Sequence, residues 1–285
     1  MLQSEVLEVG SDFNSFSNCG YGRYKDSYSH CRYSEISRKD FYSTQPLFLR
    51  SKEKIPKAPF KVLDAPALKD DFYLNLIDWS QDNILAVGLG SCIYLWNASS
   101  SKVTKLYDLG NTDMVTSVAW CDKGTMLGVG TNSGMFQLWD TKECKLVKTL
   151  AGHESRIGAV SWNDSIVSTG SRDKNILHRD IRCDSDYVAK LECHKQEICG
   201  LKWSFDKQQL ASGGNDNKLC LWSIRNSKNP VSKFSSHQAA VKALAWSPHQ
   251  HGLLASGGGT ADRSIRFWNT LSLQEINCVE TGSQI

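Results

Sequence analysis

A tryptophan recurs roughly every 41 to 43 residues through most of the chain, and this spacing constrains the fold more than any other feature. The first series ends five short apolar runs at steps of 41, 42, 41 and 43 residues: Trp79, Trp120, Trp162, Trp203 and Trp246. A second series follows, with an arginine in third place: Trp96, Trp139, Arg179, Trp222 and Trp268. Between the two series lie Gly- and Ser-rich strands that end at Gly88, Gly130, Gly170, Gly213 and Gly257. A unit of about 40–45 residues with several short strands is the pattern of a propeller blade.

Apolar residues within these units alternate with polar ones or form short blocks, and this excludes an array of helices. The sequence therefore predicts an all-β fold, a WD-repeat β-propeller over residues 58–285. It contains five complete units, each expected to form one four-stranded blade.

The N-terminal tail, residues 1–57, has no tryptophan and no sustained apolar period, which predicts a disordered segment. Residues 1–61 hold 10 basic and 7 acidic residues; subtracting these from 33 and 30 leaves 23 of each in the remainder. The formal charge excess therefore lies in and just after the tail. It indicates either an arm for an acidic partner or a solvated linker.

Composition argues against several classes of protein. A net charge of +3 does not suggest a nucleic-acid partner. No apolar run is long enough for a membrane helix, and the first residues do not resemble a signal peptide, so no membrane partner is expected. The ten cysteines include no Cys-x-x-Cys pair, which argues against a zinc ribbon or a redox motif and favours small strand residues in a reducing compartment.

Three units repeat a set of polar residues suited to a buried structural hydrogen-bond network. A hydroxyl donates and accepts, a carboxylate accepts, and imidazole and indole N–H groups donate. The predicted sets are His194, Ser212, Asp216 and Trp222; His237, Ser256, Asp262 and Trp268; and His153, Ser168, Asp173 and Arg179.

A catalytic interpretation of these sets is disfavoured, because an enzyme needs one such set and this chain repeats it. The sequence also lacks a Gly-x-Ser-x-Gly motif and a complete Gly-x-Gly-x-x-Gly motif. We therefore expect no catalytic residue and no cofactor. His249 and His251 could bind a metal from one side of a strand, but the preceding Ser247-Pro248 favours a surface loop, so no metal site is predicted.

Several segments of the sequence are more distinctive than the general pattern of a propeller blade. They are Lys61–Pro66, Asp70–Ser80, Gly170–Asp173, Glu197–Trp203, Ser212–Asn217 and Ala239–Asn269. Together they resemble the fizzy and fizzy-related (Cdh-type) activators of the anaphase-promoting ubiquitin ligase. The resemblance covers about residues 55–285.

This resemblance implies a substrate receptor whose partners are the subunits of the ligase and cell-cycle proteins carrying KEN or destruction-box degrons. It places the KEN pocket at Asp71, Phe72, Asn215, Thr260 and Gln284, and the destruction-box groove at Leu63 and Asp64. Residence in the nucleus and cytoplasm is also implied. Without the resemblance, turn formation would be the favoured interpretation of Asp64, Asn215 and Asp216.

The sequence departs from the family pattern in three places. The family's C-box word is not found before Lys54, the C-terminal Ile-Arg pair is absent, and five units stand where the family has seven. We expect a truncated chain that lacks two blades; a divergent short form or a five-bladed ring remain alternatives. A generic scaffold, or a competitor that binds degrons without docking on the ligase, is the alternative function.

Overall fold

The computed structural model describes residues 58–59, 61–226 and 228–285. The predicted disordered tail, residues 1–57, lies outside the described residues. The chain divides into two units, Met1–Lys61 and Val62–Ile285, and the twenty strands of the described residues belong to the second. They form five four-stranded antiparallel sheets, which confirms the predicted all-β propeller fold with five blades.

Each blade uses four consecutive strands, paired in chain order from the inner to the outer strand. Blade 1 comprises β1 Ile77–Trp79, β2 Ile84–Leu89, β3 Cys92–Asn97 and β4 Val103–Asp108. Blade 2 comprises β5 Val115–Trp120, β6 Met126–Thr131, β7 Phe136–Asp140 and β8 Lys145–Leu150. Blade 3 comprises β9 Ile157–Asn163, β10 Ile166–Ser171, β11 Asn175–Asp180 and β12 Ala189–Glu192.

The last two blades repeat this arrangement. Blade 4 comprises β13 Ile198–Trp203, β14 Gln209–Gly214, β15 Leu219–Ser223 and β16 Ser232–Phe234. Blade 5 comprises β17 Val241–Trp246, β18 Leu253–Gly258, β19 Ser264–Asn269 and β20 Gln274–Glu280. A short 3-10 turn, Gly110–Thr112, lies between blades 1 and 2.

The segment before blade 1 lies outside the five sheets. The family resemblance implies that Lys61–Leu63 completes the last of seven blades; in the described residues it belongs to none of the five sheets, and 82% of Val62 is exposed. A strand needs a partner edge, and each of these five sheets is already built from its own four strands.

The hydrophobic core is divided among the interfaces between successive blades. One buried cluster joins blades 1 and 2, and three more join blades 2 and 3, 3 and 4, and 4 and 5. Tryptophans from both repeat series contribute to these clusters. A blade therefore buries its apolar faces only against its neighbours, which is the usual source of stability in repeat folds.

Glycines in the second strand of each blade allow this close approach. A β-carbon on Gly130 would lie 2.8 Å from the side chain of Ile157 in the next blade, and one on Gly170 would lie 2.6 Å from Ile198. Both distances are below van der Waals contact. Alanine at either position would push two blades apart.

The first tryptophan series joins the inner strands of adjacent blades. Three indole N–H groups donate to carbonyl oxygens of the preceding blade: Trp120 to Asp78 (3.2 Å), Trp162 to Ala119 (2.9 Å) and Trp246 to Lys202 (2.9 Å). Trp203 donates instead to the hydroxyl of Ser168 at 2.9 Å. In each case one indole closes an interface and satisfies a polar group within it.

Blade 4 shows the hydrogen-bond network in full. The ring of His194 lies 3.0 Å from Asp216 through Nδ1 and 2.8 Å from the hydroxyl of Ser212 through Nε2. Trp222 donates to the same hydroxyl at 2.9 Å. Burial alone would raise the pKa of the Asp216 carboxyl, but hydrogen bonds from His194 and the backbone outweigh it and lower this pKa.

Blade 5 has the same chain of contacts. His237 lies between Asp262 and Ser256, and Trp268 donates to Ser256 at 2.7 Å. Burial lowers the pKa of His237 despite the neighbouring carboxylate. The imidazoles in both blades thus act as buried connectors.

Blade 3 differs from the predicted set by one residue. His153 contacts Asp173 at 2.8 Å, but its other nitrogen contacts Thr169 at 2.9 Å rather than Ser168. Neighbouring residues of a strand face opposite sides, and the hydroxyl next to Gly170 is the one in register with Ser212 of blade 4. Arg179 replaces the indole, because its Nε donates to Thr169 at 3.2 Å.

Blade 2 holds its turns together with a different pair. Ser133 stands at the turn position where blades 3, 4 and 5 have an aspartate. Asp113, which lies two positions after the place of their histidine, contacts it. The carboxylate of Asp113 accepts hydrogen bonds from the backbone N–H and the hydroxyl of Ser133. Val129 replaces the central hydroxyl, and Trp139 accordingly donates to Gln137 at 3.1 Å.

In residues 58–59, 61–226 and 228–285, no helix is long and apolar enough to span a membrane. In the same residues, no group of His, Cys, Asp or Glu side chains is arranged to hold a metal. His251 instead contacts Asp206 at 2.7 Å.

We predict that the indole N–H of Trp162 contributes measurably to stability. Trp162→Phe leaves the carbonyl of Ala119 unpaired within an interface and a small void beside it, so the free energy of unfolding should fall by about 2–3 kcal/mol. The matched control is Trp79→Phe, because Trp79 is 50% exposed. This substitution should lower the free energy of unfolding by less than about 1 kcal/mol. Urea unfolding followed by circular dichroism measures both; equal losses would contradict this role.

We also predict that His178 makes stability depend on pH. Trp203 donates to Ser168, whose hydroxyl can then donate to Nδ1 of a neutral His178 at 2.9 Å. Burial lowers the pKa of His178 from 6.5 to about 4. As pH falls below 6.5, the unfolded chain takes up a proton that the folded chain does not.

The folding free energy assigned to His178 is therefore fully present above pH 6.5. It should decrease by up to about 3 kcal/mol as the pH falls to 4. His178→Gln removes the titrating group and should flatten this part of the pH profile. Parallel urea-unfolding profiles for the two proteins between pH 7 and 4 would refute the assignment.

Candidate functional site

The residue that lies six positions before each inner-strand tryptophan occupies the same end of every blade. These residues are Tyr73, Met114, Arg156, Glu197 and Ala240. Gln284 precedes Ile285, whose side chain packs against Gly257 as Ile157 packs against Gly130. Gln284 therefore extends the same series. Tyr73, Arg156 and Glu197 contact one another at the end of the inner strands that line the central cavity, and this end is called the mouth below.

Arg156 is the centre of the polar groups at this mouth. Its Nε and Nη2 donate two parallel hydrogen bonds, of 2.7 and 2.9 Å, to the two carboxylate oxygens of Glu197 on the next blade. Its Nη1 donates to Asp71 at 2.6 Å. The side chains of Arg156 and Glu197 are 16% and 8% exposed, so this pairing is shielded from water. One guanidinium thus joins two blades and the segment that leads into blade 1.

Asp71 remains partly accessible beside this guanidinium. Its side chain is 29% exposed, and it also accepts a hydrogen bond of 3.0 Å from the backbone N–H of Tyr73. Burial acts to raise the pKa of Asp71, but the bonds from Tyr73 and Arg156 outweigh it and lower the pKa. Asp71 is consequently a carboxylate at neutral pH, with lone pairs left for another donor.

Tyr73 and Asn215 extend these contacts toward blade 4. The phenol of Tyr73 donates to Oδ1 of Asn215 at 2.9 Å, and Nδ2 of Asn215 donates to Gln196 at 2.6 Å. Burial, followed by nearby negative groups, raises the pKa of Tyr73, so the phenol keeps its proton. Asp71, Tyr73, Arg156, Glu197 and Asn215 are called the rim cluster below.

Phe72 lies on the other side of the same segment. The ammonium of Lys242 lies 5.3 Å from the centre of the Phe72 ring and donates to the carbonyl of Leu74 at 2.8 Å. Burial lowers the pKa of Lys242. A cation and an aromatic ring are therefore adjacent where the leading segment meets blade 5.

The remaining residues of the predicted KEN pocket form a pair of their own. Thr260 donates to the side-chain oxygen of Gln284 at 2.9 Å, and both residues are exposed. Phe72 and Gln284 line the same cavity of about 1270 Å³ along the inner strands. Asp71 and Asn215 are thus joined through the rim cluster, whereas Thr260 and Gln284 meet separately on the blade 5 side.

Leu63 and Asp64, predicted for the destruction-box groove, lie in the extended segment before blade 1. Both are exposed, Leu63 by 41%. No hydrogen bond joins either side chain to the rim cluster among the described residues. Their assignment stays a prediction.

Sequence reasoning missed Tyr73, Arg156, Glu197 and Lys242, although they supply most of the contacts at the mouth. A signal for the first three was available, namely their shared position six residues before a tryptophan. Lys242 had no such signal. As a whole, the site has fixed charges, amides and an aromatic ring but no nucleophile paired with a base, so its chemistry suits binding of a polar peptide.

Comparison with known proteins gives a consistent result. The family model described as the CDC20/Fizzy WD40 domain matches residues 63–285. The B-type cell cycle switch protein ccs52A of Medicago truncatula is 56% identical over 89% of this chain and 56% of its own length. Protein FIZZY-RELATED 2 of Arabidopsis thaliana is 61% identical over 83% of this chain and 49% of its own length.

More distant relatives agree. The anaphase-promoting complex subunit cdh1 of Dictyostelium discoideum is 48% identical over 83% of this chain and 36% of its own length. A chain in the crystal structure of the mitotic checkpoint complex superposes with a TM-score of 0.78 at 44% identity, covering 83% of this chain and 76% of that one. This chain spans about half the length of the first curated relatives it matches.

We predict that Arg156 is required for both stability and the charge of the rim. Arg156→Ala leaves the buried carboxylate of Glu197 without its cation and should cost about 2–4 kcal/mol of unfolding free energy. Arg182→Ala is the matched control, since Arg182 also makes two hydrogen bonds to one carboxylate, that of Asp180, but is 72% exposed. It should have little effect on stability, because water screens an exposed ion pair. Equal costs in urea unfolding would show that burial of the Arg156 pair is unimportant.

Proposed function

Because the chain belongs to the CDC20/Fizzy WD40 family, we propose that its propeller is the substrate-recognition part of an activator of the anaphase-promoting ubiquitin ligase. It would bind short degrons of cell-cycle proteins and present them to the ligase, with no chemistry of its own. The observation that carries this proposal is the rim cluster. It combines a carboxylate, an amide and a shielded guanidinium at the end of the inner strands that line one cavity.

The groups at this mouth match the side chains of a Lys-Glu-Asn motif. Asp71 is ionised and keeps acceptor capacity for a lysine ammonium. Lys242 keeps donors for a glutamate carboxylate, because its hydrogen bond to Leu74 uses one of three. Thr260 and Gln284 are exposed, and with Asn215 they offer the donors and acceptors that an asparagine amide requires.

A destruction box would use the segment before blade 1. Leu63 offers an exposed apolar surface and Asp64 an exposed carboxylate that could receive an arginine. Docking on the ligase, and residence in the nucleus and cytoplasm, are proposed from the family relationship alone.

The test is binding of a fluorescent KEN peptide to the full chain, measured by anisotropy beside a peptide whose lysine is replaced by alanine. We expect saturable binding that the replacement weakens at least about tenfold. Asn215→Ala should also raise the Kd about tenfold, which corresponds to the loss of one well-formed polar contact.

Asn132→Ala is the matched control, since Asn132 lies at the same turn position of blade 2. The backbone N–H of Asn132 donates to Met114 as that of Asn215 donates to Glu197. The Kd of the Asn132→Ala variant for the KEN peptide should stay within about twofold of the Kd of the unchanged protein. Circular dichroism establishes that each variant is folded. Folded protein that does not bind, or binds both peptides equally, would refute the receptor function; binding without stimulation of ubiquitination would favour a degron-binding competitor.

A further inference from the structure

Two cysteines that are distant in sequence meet at the boundary between blades 3 and 4. Cys193 lies in the connection that leaves β12, and Cys220 lies in β15. Cys220 is fully buried, whereas Cys193 is half-buried and packs against the same hydrophobic cluster. The pair therefore joins one partly exposed cysteine to one that is fully buried.

The two sulfur atoms are 3.1 Å apart, and both cysteines are free thiols. This separation is close enough for one thiol to donate a hydrogen bond to the other. It also means that a bond between the sulfurs requires only a small displacement of the side chains. No folding rearrangement has to precede it.

A cation next to the pair favours the thiolate form of Cys193. Lys233 of β16 lies directly opposite Cys220 in the strand register. The hydrogen bond from Cys220, followed by that from Lys233, outweighs burial and lowers the pKa of Cys193. The same contact, together with burial, raises the pKa of Cys220. The sulfur of the partly exposed cysteine is thus the nucleophile and the buried one retains its proton.

We propose that Cys193 and Cys220 form a peroxide-sensitive modification site that closes to a disulfide. The thiolate of Cys193 attacks one oxygen of hydrogen peroxide, becomes a sulfenic acid and releases hydroxide. The sulfur of Cys220 then attacks the sulfenic sulfur, and the departing oxygen leaves as water together with the thiol proton. Two thiols are oxidised, one peroxide is reduced, and two waters result.

The position of the bond gives the modification a structural consequence. Cys193 immediately precedes His194, which contacts Ser212 and Asp216 in the blade 4 network. Ser212 is in turn the register partner of Cys220. The disulfide would therefore tie the connection from blade 3 to the third strand of blade 4, beside the turn that carries Asn215.

The site is tested by exposing the folded, reduced chain to graded hydrogen peroxide. Remaining thiols are blocked with N-ethylmaleimide, and the monomer fraction is digested with trypsin without reduction. Cleavage after Lys190, Lys195, Lys218 and Arg225 releases peptides 191–195 and 219–225. We expect these two peptides joined in one species that reduction separates, and loss of the Cys193 thiol at least about tenfold faster than that of Cys121.

Cys121 is the matched reference, because it is also half-buried but its sulfur contacts Thr125 and the backbone of Met126 rather than another thiol. In Cys220→Ala the oxidation of Cys193 should stop at the sulfenic acid, which dimedone traps. The unchanged protein decides the question even if this variant does not fold. Absence of the joined peptides while Cys121 is oxidised, or equal rates for the two cysteines, would overturn the proposal.

Discussion

The contact between successive blades is the constraint on which the remainder of this structure depends. No blade can cover both of its faces, so each inner strand must approach the next closely enough to exclude water. Gly130 and Gly170 permit that approach, and the indole N–H of Trp162 satisfies a carbonyl that would otherwise be buried alone. Because this contact recurs at every interface, it also determines which residues of each unit lie at the mouth of the cavity.

The part of the fold that follows from a repeated physical requirement could be predicted from the sequence. The tryptophans that recur along the sequence lie at the interfaces between blades. Their spacing therefore predicted the number of blades and the strands of each. The polar network was less predictable in detail, because one hydroxyl can replace another. Blade 3 uses Thr169 where Ser168 was expected, and blade 2 uses Asp113 with Ser133 in place of a histidine and an aspartate.

Long-range neighbours could not be predicted from repetition alone. Asp71 and Asn215 belong together only because Arg156, Glu197 and Tyr73 lie between them, and these three differ in type although they share a repeat position. Cys193 and Cys220 are a second example. Their 27-residue separation matches no metal-binding or redox motif. Only the packing of β15 against the connection from blade 3 shows that the two sulfur atoms are in contact.

Function is therefore expected where the repeat keeps its backbone but changes its side chains. The network positions are similar in blades 3, 4 and 5, because each of these blades must complete the same buried hydrogen bonds. The mouth position instead carries a phenol, a thioether, a guanidinium, a carboxylate, a methyl group and an amide in turn, so the rim has no rotational symmetry. The guanidinium of Arg156 already neutralises the buried Glu197. Asp71 therefore stays ionised and keeps lone pairs that can accept a further hydrogen bond. In the proposed function, a peptide cation would bind Asp71 without displacing the pair that holds blades 3 and 4 together.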